Sequence, residues 1–362
     1  SIAMDKLKAD FIKVAPGAEA AAVTTLALTA KSIIMVGERA SESAGLFSAV
    51  AALAQKTGAK IAYIPRRAGE RGALEAGALG NLLPGGRPVA DAAARVDIAA
   101  AWGVDSLPTT IGRTTSQIIG ALSEQELDAV VIGGVDALDM PSSRKTLEIL
   151  KNSFVVSLEI APSSITAVAD VVFPVAAITE KSGSFLNWEG RARAFDTAVS
   201  ESLNRSDVRI LSALADVLGE PISLGTVTAS AREFSQLGPW DGARSQFGSV
   251  AAKASLTLGT NEALLSSWRR LLDMGSLQKG EDNLAGTRRP TVAVISPKRA
   301  DALGITTGEQ LRISNSNGSI TIPVLVEDIH EDAVWIPRNS FASQSLVALN
   351  AVHGEVVTVV KA

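Results

Sequence analysis

The hydrophobic pattern changes period once along this chain, and that change limits the fold more than any single residue. From Lys31 to Val175 short apolar runs alternate with helix-spaced segments; from Pro290 onward only short strand-like runs remain. Alternation of the first kind suits a doubly wound, mostly parallel α/β sheet with helices on its faces. The second kind, punctuated by Gly304, Gly308, Asn317-Gly318 and Gly354, suits a small β-barrel. The predicted organisation is a helical lead-in over 1–30, an α/β domain over 31–204, a helical connector and linker over 205–289, and a barrel over 290–362.

In the first regime, strands are predicted at 31–36, 59–64, 128–133, 153–158 and 170–175, each a buried-looking apolar run closed by Gly, Pro or a polar residue. Helices are predicted at 43–57, 72–79, 114–127, 142–151 and 163–168. Further helices are expected at 205–219, 227–237 and 260–273, then a polar linker over 275–289. Barrel strands are expected at 291–295, 310–314, 319–326, 333–337 and 355–360. Asn317-Gly318 between two apolar alternations predicts a hairpin.

Chemistry is bounded mainly by what the chain lacks. It has no cysteine, so it supplies no disulfide, thiolate nucleophile or thiolate ligand to zinc or iron–sulfur clusters. Its two histidines, His330 and His353, are far apart in sequence and are expected as surface or turn residues. Net charge is −4, which gives no overall basic field for nucleic acid or an anionic membrane. No apolar run is long enough to cross a bilayer. The start, Ser1-Ile2-Ala3-Met4, has no basic n-region, so no secretory signal is expected and it reads as an internal start. Gly37-Glu38-Arg39 lacks the spacing of a dinucleotide fingerprint. Arg66, Arg67 and Arg71 form a basic cluster, readable as a docking patch or as a solvated loop. Leu83-Pro84-Gly85-Gly86-Arg87-Pro88 has no assignable chemistry. Asp136, Asp139, Glu159 and Glu180 stand near predicted strand ends, without an adjacent nucleophile or oxyanion donor.

The richest segment is Glu180-Lys-Ser-Gly-Ser-Phe-Leu-Asn-Trp-Glu-Gly-Arg-Ala-Arg193, preceded by Ala169-Asp-Val-Val-Phe-Pro174. Lys181-Ser182-Gly183 is expected to turn through a glycine at positive φ, with Asn187, a glutamate and Arg191 in a buried network. This segment resembles one of the molybdopterin oxidoreductase superfamily. Ala300-Asp-Ala-Leu-Gly-Ile-Thr-Thr-Gly308 is similar to the opening element of its dinucleotide-binding barrel, which is of double-psi type with six strands. Within the superfamily the resemblance is greatest to the large iron–sulfur subunit of bacterial NADH:quinone oxidoreductase, respiratory complex I.

That resemblance implies an α/β domain followed by a barrel, forming the carboxy-terminal part of an electron-transfer subunit. It implies iron–sulfur clusters in an amino-terminal part and no cofactor in this one. It also implies other peripheral-arm subunits as partners, on the cytoplasmic face of a bacterial membrane, with no nucleic acid and no membrane insertion. Asn187, Arg191 and Glu180 become vestigial cofactor-binding positions. The chain has Val135-Asp136-Ala137 after Gly133-Gly134 where relatives have Asn-Pro, which weakens a cofactor claim. A second expectation is a fragment of a catalytic molybdopterin-dinucleotide oxidoreductase, with phosphates held by Asn187, Arg191 and Ser296–Lys298. A third is a stand-alone small-molecule-binding α/β domain.

Overall fold

A computed structural model describes residues 6–140, 142–222, 224–245, 248–254 and 256–362; the Ser1–Met4 start lies outside them. Its strands in the first half are β1 (Ile33–Gly37), β2 (Lys60–Ile64), β3 (Leu82–Leu83), β4 (Arg87–Pro88), β5 (Ala129–Gly133), β6 (Phe154–Glu159), β7 (Val171–Pro174), β8 (Gly183–Leu186) and β9 (Ala192–Phe195). The second half has β10 (Glu262–Trp268), β11 (Ala293–Ile295), β12 (Gln310–Asn315), β13 (Gly318–Val326), β14 (Ala333–Pro337), β15 (Asn339–Ser340), β16 (Ser343–Gln344) and β17 (Val356–Lys361). Two compact units result, each assembled from separated stretches of sequence: Ser1–Ala62 with Leu138–Arg144 and Gly248–Ala362, and Tyr63–Ala137 with Lys145–Phe247.

The first unit contains the barrel. Six strands close into a barrel in the order β10-β14-β11-β13-β12-β17, matching the expected six-stranded closure. Pairs β10–β14 and β11–β13 are parallel, whereas β12–β13, β12–β17, β11–β14 and β10–β17 are antiparallel. Period-two alternation turns Leu311 and Ile313 of β12, and Ile320, Ile322 and Val324 of β13, into the barrel with Leu265, Ile295, Ile336 and Val359. Each such side chain contributes about 1.5–3 kcal/mol by leaving water. Helix Pro297–Leu303 begins at Ser296, whose Oγ accepts the Arg299 N–H at 3.2 Å, and ends at Gly304.

The sixth barrel strand lies where the apolar spacing predicts a helix. Residues 262–268 form β10, with Ala263 to Ser267 all buried between β14 and β17. A strand buried on both faces loses its alternation, and Ala and Leu then mimic helical spacing. The hairpin is present but set one residue earlier: Asn315 pairs with Gly318, leaving Ser316 and Asn317 as its loop. Gly318 is needed for approach, since a Cβ there would stand 2.3 Å from the Ala348 carbonyl oxygen. Within the predicted linker, short helical turns form at Ser276–Gln278 and Asp282–Ala285. This unit also holds the β1–β2 pair and helix Leu46–Thr57, which buries Val50, Leu53 and Ala54.

The second unit is built on the parallel sheet β5-β6-β7, in register Val130↔Val155 and Val156↔Val171. The predicted α/β alternation is therefore present, with its strands divided between this sheet and the β1–β2 pair. Val130, Ile132 and Val155 pack with Leu122, Leu150 and Ile165 on one face. Val156, Leu158 and Phe173 pack with Ile210 on the other. Helix Thr115–Ser123 opens on a capping box between Thr114 and Gln117. Helices Asp207–Val217 and Val227–Leu237 fall where the apolar spacing predicts them. At 163–168 turns replace the predicted helix, because Ser163 Oγ accepts the N–H groups of Ile165 and Thr166. Helix Ala92–Trp102 has no counterpart among the predicted elements; it starts at Asp91, whose carboxylate accepts the Ala94 N–H.

Candidate functional site

β7 leads into the 180–193 segment through a single helical turn, Ile178–Glu180. The Glu180 carboxylate accepts the Ala177 N–H at 2.8 Å and the Asn204 amide at 3.2 Å. The Ala177 bond, then those from Ser202 and Asn204, hold its carboxyl below the usual range. Lys181 pairs with Asp207 at 2.6 Å, placing the carboxylate at the start of helix Asp207–Val217. β8 and β9 then form a hairpin in which the Phe185 and Phe195 rings stack 5.2 Å apart.

Gly183 is not the positive-φ residue that the sequence leads one to expect; it sits in β8, beneath the Phe195 ring, where a Cβ would stand 2.7 Å from the ring carbon. Positive φ falls instead on Gly190, at 83°, in the loop that joins β8 to β9. Asn187 Oδ1 accepts the N–H groups of Glu189 (3.0 Å) and Arg191 (2.8 Å), and the Arg191 guanidinium pairs with Glu189 at 3.1 Å. The expected Asn–Glu–Arg network exists, but it lies at the surface: the Arg191 side chain is 66% exposed. It fastens one hairpin turn to itself.

Of the strand-end carboxylates, Asp136 and Glu159 come together. Asp136 accepts the Ser164 hydroxyl at 2.5 Å, and burial, then the Asp136 charge, pushes the Glu159 carboxyl up. No group of three or more His, Asp or Glu positioned for a metal exists among the described residues. Asp139 instead meets Arg269 at 3.1 Å, in the other unit. His330 Nδ1 accepts the Asp332 N–H, and His353 Nε2 meets Glu19 at 2.8 Å, so the histidines serve separate turns. In the basic cluster, Arg71 is ion-paired with Glu75, and Glu70 accepts the Arg66 N–H and the Tyr63 hydroxyl.

Arg87, to which the sequence assigns no chemistry, is the most constrained cation of the second unit. Its side chain is 2% exposed. Nε donates to Asp97 at 2.6 Å, Nη1 to the Pro84 carbonyl at 3.1 Å, and Nη2 to the Leu237 carbonyl at 2.9 Å. It therefore caps helix Val227–Leu237 from 150 residues away. No local signal marks this capping role, because Leu237 is distant in sequence. An open cleft of about 650 Å³ lies beside it, lined also by Val96, Pro239 and Trp240.

The same order of domains is found in known proteins. The molybdopterin oxidoreductase family matches residues 4–217, and the molydopterin dinucleotide binding domain matches residues 273–360. The chain belongs to the molybdopterin oxidoreductase family. It is 44% identical over 368 residues to the G subunit of NADH-quinone oxidoreductase from Mycobacterium tuberculosis, an alignment covering 98% of this chain and 46% of that protein. The corresponding Streptomyces coelicolor protein is 43% identical over 319 residues, covering 86% of this chain and 38% of its own length. The chain thus spans less than half of these relatives. Acetylene hydratase from Pelobacter acetylenicus shares the fold, with TM-score 0.50 at 14% identity over 74% of this chain and 49% of its own. Among the described residues no helix is long and apolar enough to cross a membrane.

The family name implies a pterin dinucleotide, whose phosphates require unpaired donors. The residues here do not fit one. Asn187 Nδ2 donates to Glu189 at 3.3 Å, Arg191 is neutralised by the same Glu189, and Glu180 is itself an anion. In the barrel, Ser296 caps its helix and Lys298 is ion-paired with Glu331. No chemical step through such a group is derived from them.

Proposed function

We propose that this chain is the carboxy-terminal, non-catalytic half of the large iron–sulfur subunit of NADH-quinone oxidoreductase, serving as a scaffold for the electron-carrying half. The observation carrying this reading is the 44% identity to the Mycobacterium tuberculosis protein along 98% of the chain. The absence of cysteine supports it: the clusters must be ligated elsewhere in the subunit. Asn187, Arg191 and Glu180 are read as vestigial positions that now hold a loop. The partners are other peripheral-arm subunits on the cytoplasmic face of a bacterial membrane.

Metal analysis of the full subunit and of residues 1–362 alone tests this. Iron is expected in the full subunit, with none bound by residues 1–362 and no molybdenum in either. Stoichiometric molybdenum or a pterin extracted from the full subunit would overturn the scaffold reading in favour of a catalytic molybdopterin enzyme.

A further inference from the structure

One face of the barrel unit carries cations that no carboxylate among the described residues answers. At the end of β10, the Arg39 guanidinium lies 4.5 Å from the Trp268 ring, Trp268 lies 5.0 Å from Trp335, and Arg270 lies 5.2 Å from Trp335. The four residues form a ladder, Arg39–Trp268–Trp335–Arg270. Arg270 donates to the carbonyls of Arg289 (3.2 Å) and Pro290 (2.6 Å), which holds it beside a second guanidinium. Burial, then the Arg289 charge, pushes the Arg270 pKa down. Neighbouring arginines are treated differently: Arg269 is met by Asp139 and Asp273, and Arg338 by Glu42. Arg39, Arg270 and Arg289 have no ion pair among the described residues. Beside them Leu271 is 95% exposed, and Met274 and Trp268 are partly exposed.

We propose that this Trp268–Arg270–Leu271 face is a docking surface for the part of the same subunit that lies outside this chain, presenting carboxylates around an apolar spot. This rests on the reading of the chain as part of a longer subunit. Three features select that occupant. In a chain of net charge −4, cations gathered on one face with no ion pair among the described residues are complementary to an acidic surface. The cations are all arginine and sit among Trp and Met, residues enriched at protein interfaces, where lysine is depleted. Finally, relatives extend more than twice the length of the match, and a covalently tethered segment competes at millimolar effective concentration.

The test places p-benzoylphenylalanine at position 271 of the full subunit. Leu271 is exposed enough that this leaves the fold intact. Irradiation is expected to give a crosslink within the subunit, to an Asp- or Glu-containing segment outside residues 1–362. The double variant Arg270→Glu/Arg289→Glu is expected to lower the yield at least about ten-fold, whereas Arg312→Glu, exposed on β12, leaves it unchanged. A crosslink only to another subunit, only to vesicles of phosphatidylglycerol and phosphatidylcholine, or none, overturns the proposal. Iron content of the same preparation reports separately on the subunit reading, so the two failures are distinguishable.

Discussion

Arg87 brings a permanent charge into the interior, where desolvation costs several kcal/mol per ion unless the N–H groups are met. Here they are met by Asp97 and by carbonyls of Pro84 and Leu237, the latter at a helix terminus. Replacement by alanine leaves those carbonyls unsatisfied and opens a cavity beneath Trp240. Arg87→Ala is therefore expected to lower stability by about 3 kcal/mol, and Arg87→Lys by about 2 kcal/mol, since an ammonium lacks the fork. Asp97→Asn, at a carboxylate nearly half exposed, should cost under about 1 kcal/mol. Urea unfolding midpoints check the order; equal losses for Arg87→Ala and Asp97→Asn would refute it. The sequence reveals the residues of the 180–193 turn but not their division of labour. Asn187 and Arg191 are visible as polar groups, whereas the local use of both, and the positive φ at Gly190 in place of Gly183, depend on hairpin register.

Elements are positioned by a few cross-links as well as by apolar burial. Helix Glu19–Thr24 is tied into the barrel unit by Glu19, which accepts the Ser43 hydroxyl at 2.7 Å and the Gly17 N–H at 2.8 Å and meets His353 at 2.8 Å. Burial pushes the Glu19 carboxyl up, but the bonds from His353 and Ser43, a backbone hydrogen bond and the His353 charge bring it down to about 2. A carboxyl whose folded value is depressed stabilises the fold above its unfolded value, near 4.5, and loses that contribution as pH falls through about 2. With the Glu19 side chain 27% exposed, the contribution after solvent screening is about 1 kcal/mol. Between pH 5 and pH 2 the Glu19→Gln variant should lose less stability than the unaltered protein by about that amount; parallel curves would exclude the link. Most elements are legible in the sequence because half-buried strands alternate and helices carry caps, as at Thr114 and Gly304. β10 is not, because Ala263, Leu264 and Leu265 are good helix formers and only pairing with β14 and β17, remote in sequence, makes them a strand.

At the scale of the molecule, the boundary between linker and barrel depends on β10. The change of pattern at Pro290 suggests a barrel beginning there, yet five strands from that point leave β14 and β17 with open edges, and β10 joins them. β10 also contributes Leu265 and Ala263 to the interior, both fully buried. The strand is supplied from before the 269–292 excursion, so the unit of folding starts near residue 258. Residues 258–362, about a hundred residues, should unfold cooperatively with an enthalpy of about 60–80 kcal/mol. Residues 290–362 alone keep most of the apolar interior but lose closure, and should show no cooperative transition and associate through the exposed edges of β14 and β17. Calorimetry with sedimentation on the two pieces distinguishes these outcomes. A cooperative, monomeric 290–362 would mean that closure does not require β10. The placement of Leu265 makes a finer version of the test: Leu265→Ala in residues 258–362 should cost about 2–5 kcal/mol, a loss that no substitution at a solvent-facing linker could produce.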